Sequence, residues 1–183
     1  MVTSGEKALT LSKIDQLLMV VNDVNSDALL RLALTGGLRR EDIVKVLVKD
    51  VDVGAMSITF YQHKKKNHHT VFIPISTMLS IEKLLNMNRR LKSPYLFPSS
   101  DPKKHISSRT AYNILQRYLN LAGLPSIPFH ALRSTCVKLC QSKGWTPEQS
   151  AKHLDDKIST IQLHYTTPSQ EERREVAKDK AIL

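Results

Sequence analysis

The sequence predicts a mostly α-helical domain that carries one small antiparallel β-sheet. Apolar residues recur at helical spacing through most of the chain, and several of these stretches begin at a capping residue and end at glycine. One stretch, "MSITFYQHKKKNHHTVFIPI", instead has the composition of two strands around a basic turn. Hydrophobic residues make up 41% of the 183 residues, which is enough for the core of a single domain.

The N-terminal half is expected to hold helices on both sides of this hairpin. The first helix begins after Thr10 or Ser12, either of which could cap it. The stretch "SDALLRLALTGGLRREDIVKVL" predicts a second helix, a break at a glycine pair and a short third helix. After the hairpin, a further helix is expected over residues 77–91.

The C-terminal half is expected to consist of helices joined by polar loops. A loop rich in proline and serine leads to a helix in "SSRTAYNILQRYLNLAG", and another helix runs over residues 130–143. Thr146 and Gln149 form the sequence pattern of a capping box at the next helix. The last two predicted helices are short and polar, in "STIQLHYTTP" and "SQEERREVAKDKA".

The charge of the chain favours a polyanionic partner. Lysine and arginine number 27 against 17 acidic residues, a formal net charge of +10, and nucleic acid is the commonest partner of so basic a domain. Cys136 and Cys140 are too few for a disulfide framework, which favours a reducing compartment. The chain shows neither a signal-peptide pattern nor a membrane-length apolar run, so we expect a cytoplasmic protein without a membrane partner.

Several cations and one tyrosine point to a common chemistry. His130 and Arg133 lie three residues apart where a helix begins, and Arg39 follows the glycine pair at another helix start. Lysines crowd the hairpin turn, and Tyr165 lies on a short helix near the end. Arginine binds phosphate oxygens and stabilises the charge of a pentavalent transition state. Histidine and lysine can transfer protons, and a tyrosine can hold a covalent phosphodiester. Together these side chains are what the attack of a phenol on a phosphodiester requires.

The order of these motifs resembles that of the tyrosine recombinases, the phage integrase family. The matching stretches are "TGGLRRED", "KKKNHHTVFIPI", "HALR" and "LDDKISTIQLHY". The resemblance implies that residues 1–183 form the family's catalytic domain, with the N-terminal core-binding domain absent from this chain. It further implies site-specific DNA cleavage and rejoining through a 3′-phosphotyrosine, for integration or excision, without metal or cofactor.

The resemblance also assigns individual roles. Arg39, Arg133 and His130 would hold the phosphate and Tyr165 would attack it. Asp42 matches an acidic residue that in the family braces the first arginine.

The catalytic lysine is chosen from the hairpin turn. Counting back eight positions from Pro74, as family members usually allow, selects Lys66, and Lys65 and Lys64 stay as alternatives because the length of the turn varies.

One departure from the family pattern stands before the tyrosine. The family usually has "LGH" there, with a histidine that contacts the phosphate, whereas this chain has "LDD" and so places Asp156 at that position. A carboxylate would repel the phosphate, so we expect it to pair with an arginine or to point away. His153 and His164 are candidates to replace the missing histidine.

Further expectations concern partners and origin. Double-stranded DNA is the expected partner, with additional contacts from exposed cations. The chain is expected to form a tetramer on paired DNA sites from a monomer in solution, with residues 169–183 as a subunit contact. A nucleoid-associated protein of a prokaryotic or viral mobile genetic element fits this description. Type IB topoisomerase-like relaxation and a decayed, DNA-binding integrase remnant remain alternatives. The additional predicted DNA contacts are Lys64, Lys65, Lys103, Lys104, Arg109 and Arg117.

Overall fold

The computed structural model describes residues 7–89 and 91–164, together with residue 174. Over these ranges the chain is mostly helical with one small antiparallel sheet, which confirms the predicted fold class. Each helix is too short or too polar to cross a bilayer in the described ranges. The elements are α1 (Leu11–Met19), α2 (Val24–Gly36), α3 (Arg40–Ile43), a 3-10 turn (Val48–Asp50), β1 (Val51–Asp52), β2 (Ser57–Gln62), β3 (Asn67–Phe72), α4 (Ile75–Asn88), α5 (Ser108–Leu121), α6 (Ala131–Ser142), α7 (Pro147–Leu154) and α8 (Ile158–His164).

Helix α2 lies at the centre of the core. It packs against α4, α5 and α6, and its residues Leu29, Leu30 and Leu32 are fully buried, as is usual for a helix covered on all sides. Its N-terminus is capped by Asp23, which accepts a hydrogen bond of 2.8 Å from the Ser26 amide. The buried Tyr118 of α5 donates a second bond of 2.6 Å to the same carboxylate, so one aspartate ties two core helices together.

The sheet has three antiparallel strands in the order β1-β2-β3. The predicted hairpin is confirmed, with Ser57 opposite Phe72 and Gln62 opposite Asn67. Strand β1 was not predicted because a two-residue strand is too short to show alternation. The turn between β2 and β3 carries the lysine cluster and projects from the end of the sheet.

The predicted break after α2 depends on Gly37. This residue has a left-handed backbone with φ of 61°, and a Cβ added to it would lie 2.3 Å from Leu154 Cδ2 and 3.2 Å from Cys136 Sγ. Only glycine fits such a position without displacing its neighbours. The close approach of α6 and α7 to this turn brings the Gly37 carbonyl, and Arg39 two residues later, to the place where the candidate site forms.

The predicted capping signals are confirmed at several helices. Thr10, one of the two predicted caps, closes α1 by accepting from the Lys13 amide. Thr146 and Gln149 form both halves of the capping box at α7. The C-cap residue of α7 is Asp155, whose φ of 47° is left-handed. The charged helix predicted in residues 169–181 lies outside the described residues, apart from the helical Arg174.

Candidate active site

Arg133 is the buried centre of the candidate site. It lies in the first turn of α6 and is only 7% exposed. One terminal nitrogen, Nη1, donates 2.7 Å to the Gly37 carbonyl. The other, Nη2, donates 2.8 Å to the Leu154 carbonyl and 2.9 Å to Asp156 Oδ2. The guanidinium therefore joins the end of α2 to the turn after α7, and these bonds hold a buried charge that would otherwise be costly.

Arg39 lies near the same carboxylate and comes from a different element. It is the N-cap residue of α3, and its Nη1 donates 2.9 Å to Gln62 Oε1 at the end of β2. Its Nη2 lies 4.0 Å from Asp156 Oδ2. The two arginines, which are 94 positions apart in the chain, thus converge on one oxygen atom, and this convergence defines a site for an anion.

Asp156 occupies the position between the two arginines. Its Oδ1 accepts 2.9 Å from the Lys157 amide, while Oδ2 faces both guanidinium groups. Burial alone raises the pKa of this carboxyl, but the hydrogen bond from Arg133, the bond from the Lys157 amide and the charges of both arginines outweigh burial and hold the pKa below its ordinary value. Asp156 is therefore ionised near neutral pH. Of the two arrangements expected for this residue, the structure shows the pairing with an arginine.

A cleft of about 380 Å³ lies beside this ion pair. His130 lines it as the exposed N-cap residue of α6, together with Arg39 and Lys64. Three predicted site residues from three separate elements therefore meet on one surface. Arg133 follows His130 by one helical turn and is buried, so it does not line the cleft.

The three hairpin lysines have different surroundings. Lys65 Nζ forms an ion pair of 3.0 Å with Asp155 Oδ2 and also donates to the Asp155 carbonyl. Lys64 lines the cleft. Lys66 has a left-handed backbone with φ of 56°, and its amide closes the turn by donating 2.7 Å to the Gln62 carbonyl. The choice of Lys66 as the catalytic lysine stays a prediction, and Lys65 is the lysine tied to the α7–α8 turn.

The side chain of Asp42, which was expected to brace Arg39, contacts His63 in this structure. Asp42 is 2% exposed, and its Oδ1 accepts 3.1 Å from the His63 amide and lies 3.4 Å from His63 Nδ1. Arg39 uses Gln62 instead. The reason is geometric: Asp42 belongs to the single turn of α3, so its side chain is directed inward to the end of β2. Asp42 therefore anchors the hairpin to α3.

His153 does not replace the missing phosphate-contacting histidine. Its Nε2 is 2.9 Å from the Thr35 carbonyl, its ring packs edge-on against Trp145, and its own carbonyl bonds His69. Burial lowers the pKa of His153, against the opposing effect of its bond to Thr35. The side chain is thus occupied on the α2 side of α7. The His164 side chain and the whole of Tyr165 lie outside the described residues.

The predicted DNA contacts divide into two groups. Arg109 is exposed, and its guanidinium stands 5.5 Å from the ring centre of Tyr112, which lines the cleft. Lys103 and Lys104 are exposed on the preceding loop. Arg117 lies elsewhere, with its guanidinium 5.4 Å from the ring centre of Tyr118. Burial raises the pKa of Asp23, but the hydrogen bonds from Tyr118 and Ser26 and, to a smaller extent, the charge of Arg117 lower it below its ordinary value. Because α2 separates Asp23 from Gly37 by about 20 Å, Arg117 cannot share a phosphate with Arg133.

Sequence reasoning missed two polar residues of the site. Gln62 is 1% exposed yet holds Arg39. It follows Ile58 and Phe60 on the inward face of β2, and a polar residue at such an inward position was a signal that a buried partner exists. Tyr112 carried no comparable signal, because a tyrosine on an amphipathic helix is ordinary.

The sequence of the chain matches a known protein family. The sequence model of the phage integrase family matches residues 7–172. Tyrosine recombinase XerA of Saccharolobus solfataricus is 27% identical over 161 residues, which are 86% of this chain and 52% of that protein. The chain therefore spans about half the length of this curated relative.

Solved structures show the same fold at low identity. A crystal structure of XerA recombinase matches with a TM-score of 0.83 and 17% identity, over 94% of this chain and 64% of that one. The structure of XerH site-specific recombinase bound to its palindromic difH substrate, a post-cleavage complex, matches with a TM-score of 0.77 and 14% identity, over 93% and 52% of the two chains. In the residues that the structure describes, histidines, cysteines and acidic residues form no group able to hold a metal.

Proposed function

The chain belongs to the phage integrase family, and from this premise we propose that it is a site-specific recombinase that cleaves and rejoins DNA strands through a 3′-phosphotyrosine. The observation that carries the proposal is the convergence of Arg39 and Arg133 on a single anionic oxygen. Two guanidinium groups at one point can bind two nonbridging oxygens of a phosphodiester and stabilise the charge that develops on them. The family pattern matches these arginines as its phosphate-binding pair.

The proposed chemistry assigns one step to each side chain. The Tyr165 phenolic oxygen attacks phosphorus, the bond from phosphorus to the 5′ oxygen breaks, and a 3′-phosphotyrosine forms. The departing 5′ oxygen takes a proton from the hairpin lysine, Lys66 by the family pattern. His130, exposed at the cleft, assists proton transfer from the phenol. Attack by the 5′-hydroxyl of another strand reverses these steps and releases Tyr165. Because the phosphotyrosine conserves the bond energy, the reaction needs no nucleotide.

The arrangement of α8 supports the assignment of the nucleophile. Helix α8 begins at Ile158, two residues after Asp156, and ends at His164. Tyr165 is the next residue in the chain. The segment that leads to the proposed nucleophile therefore starts at the arginine site itself, within about 10 Å of helix length.

The proposed partners are double-stranded DNA and further copies of the chain. The net charge of +10, the exposed Lys103 and Lys104, and Arg109 beside the cleft residue Tyr112 favour contacts to the DNA backbone. XerH, whose fold this chain shares, is bound to its substrate in its structure, and λ integrase is described as a dimer on a core site. We propose assembly of this chain on paired sites, with residues 169–183 as the contact between subunits.

A second candidate function is DNA binding without cleavage, as in a decayed integrase. It is favoured by one observation, the Asp156 carboxylate between the two arginines, because a fixed anion at that point would exclude the phosphate. Relaxation of DNA in the manner of a type IB topoisomerase uses the same side chains and stays an alternative.

Covalent capture tests these alternatives directly. The chain is incubated with a pool of nicked duplexes that carry a randomised segment, and adducts are separated on a denaturing gel. We expect an adduct with the natural sequence and none with Tyr165→Phe, whose DNA affinity should be nearly unchanged. If neither protein forms an adduct, the decayed remnant is favoured. If both do, the nucleophile lies elsewhere, and relaxation of a site-free supercoiled plasmid would favour the topoisomerase.

A further inference from the structure

The acidic pair Asp155–Asp156 contacts three cations of the proposed DNA-binding surface. Asp156 Oδ2 lies 2.9 Å from Arg133 Nη2 and 4.0 Å from Arg39 Nη2. Asp155 Oδ2 lies 3.0 Å from Lys65 Nζ. Two consecutive carboxylates thus neutralise cations from three separate elements, as two phosphates of a strand would.

We propose that Asp156 is a resident competitor of the DNA phosphate, which must leave Arg133 Nη2 before a phosphate oxygen can take its place between the two arginines. This inference rests on the proposed function only in taking DNA as the source of the phosphate. The competition follows from the two hydrogens on Nη2 of Arg133. Its Nη2 already gives one bond to the Leu154 carbonyl and one to Asp156, and Nη2 has no third hydrogen to offer. A phosphate oxygen that approaches Nη2 must therefore replace Asp156 or the carbonyl.

The carboxylate is the partner that can leave. The Leu154 carbonyl belongs to the backbone at the end of α7 and moves only with that helix, whereas the Asp156 side chain is 16% exposed at the surface of the site. Once displaced, a charged carboxylate can regain water. Arg133 in turn keeps its carbonyl partners at Gly37 and Leu154, so the guanidinium stays in place to receive the phosphate.

Displacement of Asp156 would act on two neighbouring elements. Its Oδ1 bonds the Lys157 amide directly before α8, so rotation of the side chain frees the start of the helix that leads to Tyr165. The adjoining Asp155 is held to the hairpin by Lys65 and by Asn67, whose Nδ2 is 3.5 Å from Asp155 Oδ2. The turn therefore links occupation of the arginine site to the hairpin and to α8.

A purely structural role for Asp156 makes the opposite prediction. If the carboxylate only braced Arg133 and stayed there when phosphate bound, its removal would loosen the arginine and weaken phosphate binding. If it competes, its removal strengthens phosphate binding. The direction of the change separates the two roles even where both variants are somewhat less stable.

The experiment measures binding of inorganic phosphate to the full chain in a Tyr165→Phe background, at constant ionic strength, by the shift of the thermal midpoint. Asp156→Asn removes the charge and keeps an acceptor for the Lys157 amide, and Asp156→Ser removes the group altogether. The matched control is Asp27→Asn, which also removes one carboxylate from an arginine, the 2.7 Å pair with Arg31 on α2. It makes the same change of net charge away from the site.

We expect phosphate affinity to rise roughly 10- to 100-fold in both Asp156 variants, the factor for one lost charge-assisted hydrogen bond, and to change less than about twofold in the control. Unchanged or weaker binding in the two Asp156 variants, or an equal rise in the control, would overturn the proposal. The readout does not depend on cleavage. If the natural sequence forms a covalent DNA adduct but the Asp156 variants show no gain in phosphate affinity, only this inference is refuted. If the variants gain phosphate affinity but the natural sequence forms no adduct, only the proposed function is refuted.

Discussion

Replacement of Arg133 by alanine should destabilise the fold as well as stop the reaction. The side chain is 8% exposed and its loss leaves three acceptors without their donor: the Gly37 carbonyl, the Leu154 carbonyl and Asp156 Oδ2. The remaining cation near that carboxylate, Arg39, is 4.0 Å away. Removal of one partner from a largely buried ion pair costs about 3–5 kcal/mol. For a domain of this size that corresponds to a fall of the thermal midpoint of roughly 6–20 °C.

Arg39→Ala is the comparison for the loss of stability expected of Arg133→Ala. Arg39 is 26% exposed and donates one hydrogen bond, to Gln62, so its removal should cost about 1 kcal/mol and lower the midpoint by less than roughly 4 °C. Both substitutions should lower cleavage by at least ~100-fold, because each removes a cation from the transition state. The two arginines are thus expected to be alike in activity and unlike in stability.

The assay is calorimetry or circular dichroism melting of the two single variants, with cleavage measured well below both midpoints. Arg133→Ala combined with Asp156→Ala tests the cause, since removal of the unpaired carboxylate should recover at least ~1 kcal/mol of stability. The reasoning is refuted if Arg133→Ala melts as high as Arg39→Ala. Equal midpoints for the single and the double variant would show that Asp156 is not the source of the loss.

Three further predictions concern charge and assembly. The pKa of Asp156 is lower in the folded than in the unfolded chain. Its contribution to stability is therefore complete above the ordinary carboxyl pKa of about 4 and is lost as pH falls below that value. The free energy of unfolding should fall less steeply with acid in Asp156→Asn than in the natural sequence. DNA affinity should fall steeply with salt, because a net charge of +10 favours contacts to the phosphates, and a salt-insensitive affinity measured by fluorescence anisotropy would contradict this. Deletion of residues 172–183 should reduce assembly on paired sites while single-site cleavage persists. Native gels on one-site and two-site DNA measure this, and equal assembly of the shortened and the full chain would show that the segment does not join subunits.

Local signals in the sequence account for most of what was predicted correctly. The caps Thr10 and Thr146 act within three residues of themselves, and the glycine break at Gly37 follows from a backbone that other residues reach only with strain. The hairpin was visible because β-branched and aromatic residues stand on both sides of the basic turn, over 58–61 and 70–73. Each of these features is decided by neighbours in the chain, so periodicity and residue type were enough.

The partners of the charged residues could not be predicted in the same way. The family resemblance assigned Asp42 to Arg39, but the contact of Asp42 is His63, which reaches it only once β2 has packed against α3. His153 is likewise a histidine close to Asp156 in the chain, so it was a candidate to contact a phosphate. The orientation of α7 directs its side chain to the Thr35 carbonyl instead. These choices depend on how whole elements are oriented, and single-sequence patterns carry no information about that orientation.

Each aspartate of the "LDD" departure has a cationic partner in the structure, which argues against simple decay of the site. Asp155 takes the place of a glycine in the family pattern at a left-handed φ of 47°, and aspartate is among the few other residues that tolerate this backbone. Its charge is met by Lys65, and the charge of Asp156 is met by Arg133 and Arg39. A site that had merely lost its function would have no reason to keep Arg133 buried at the junction of α2 and α7, with a cation for each new carboxylate. The two ion pairs instead hold the arginines and the hairpin together in the absence of DNA. A bound phosphate would then replace the Asp156 carboxylate at Arg133.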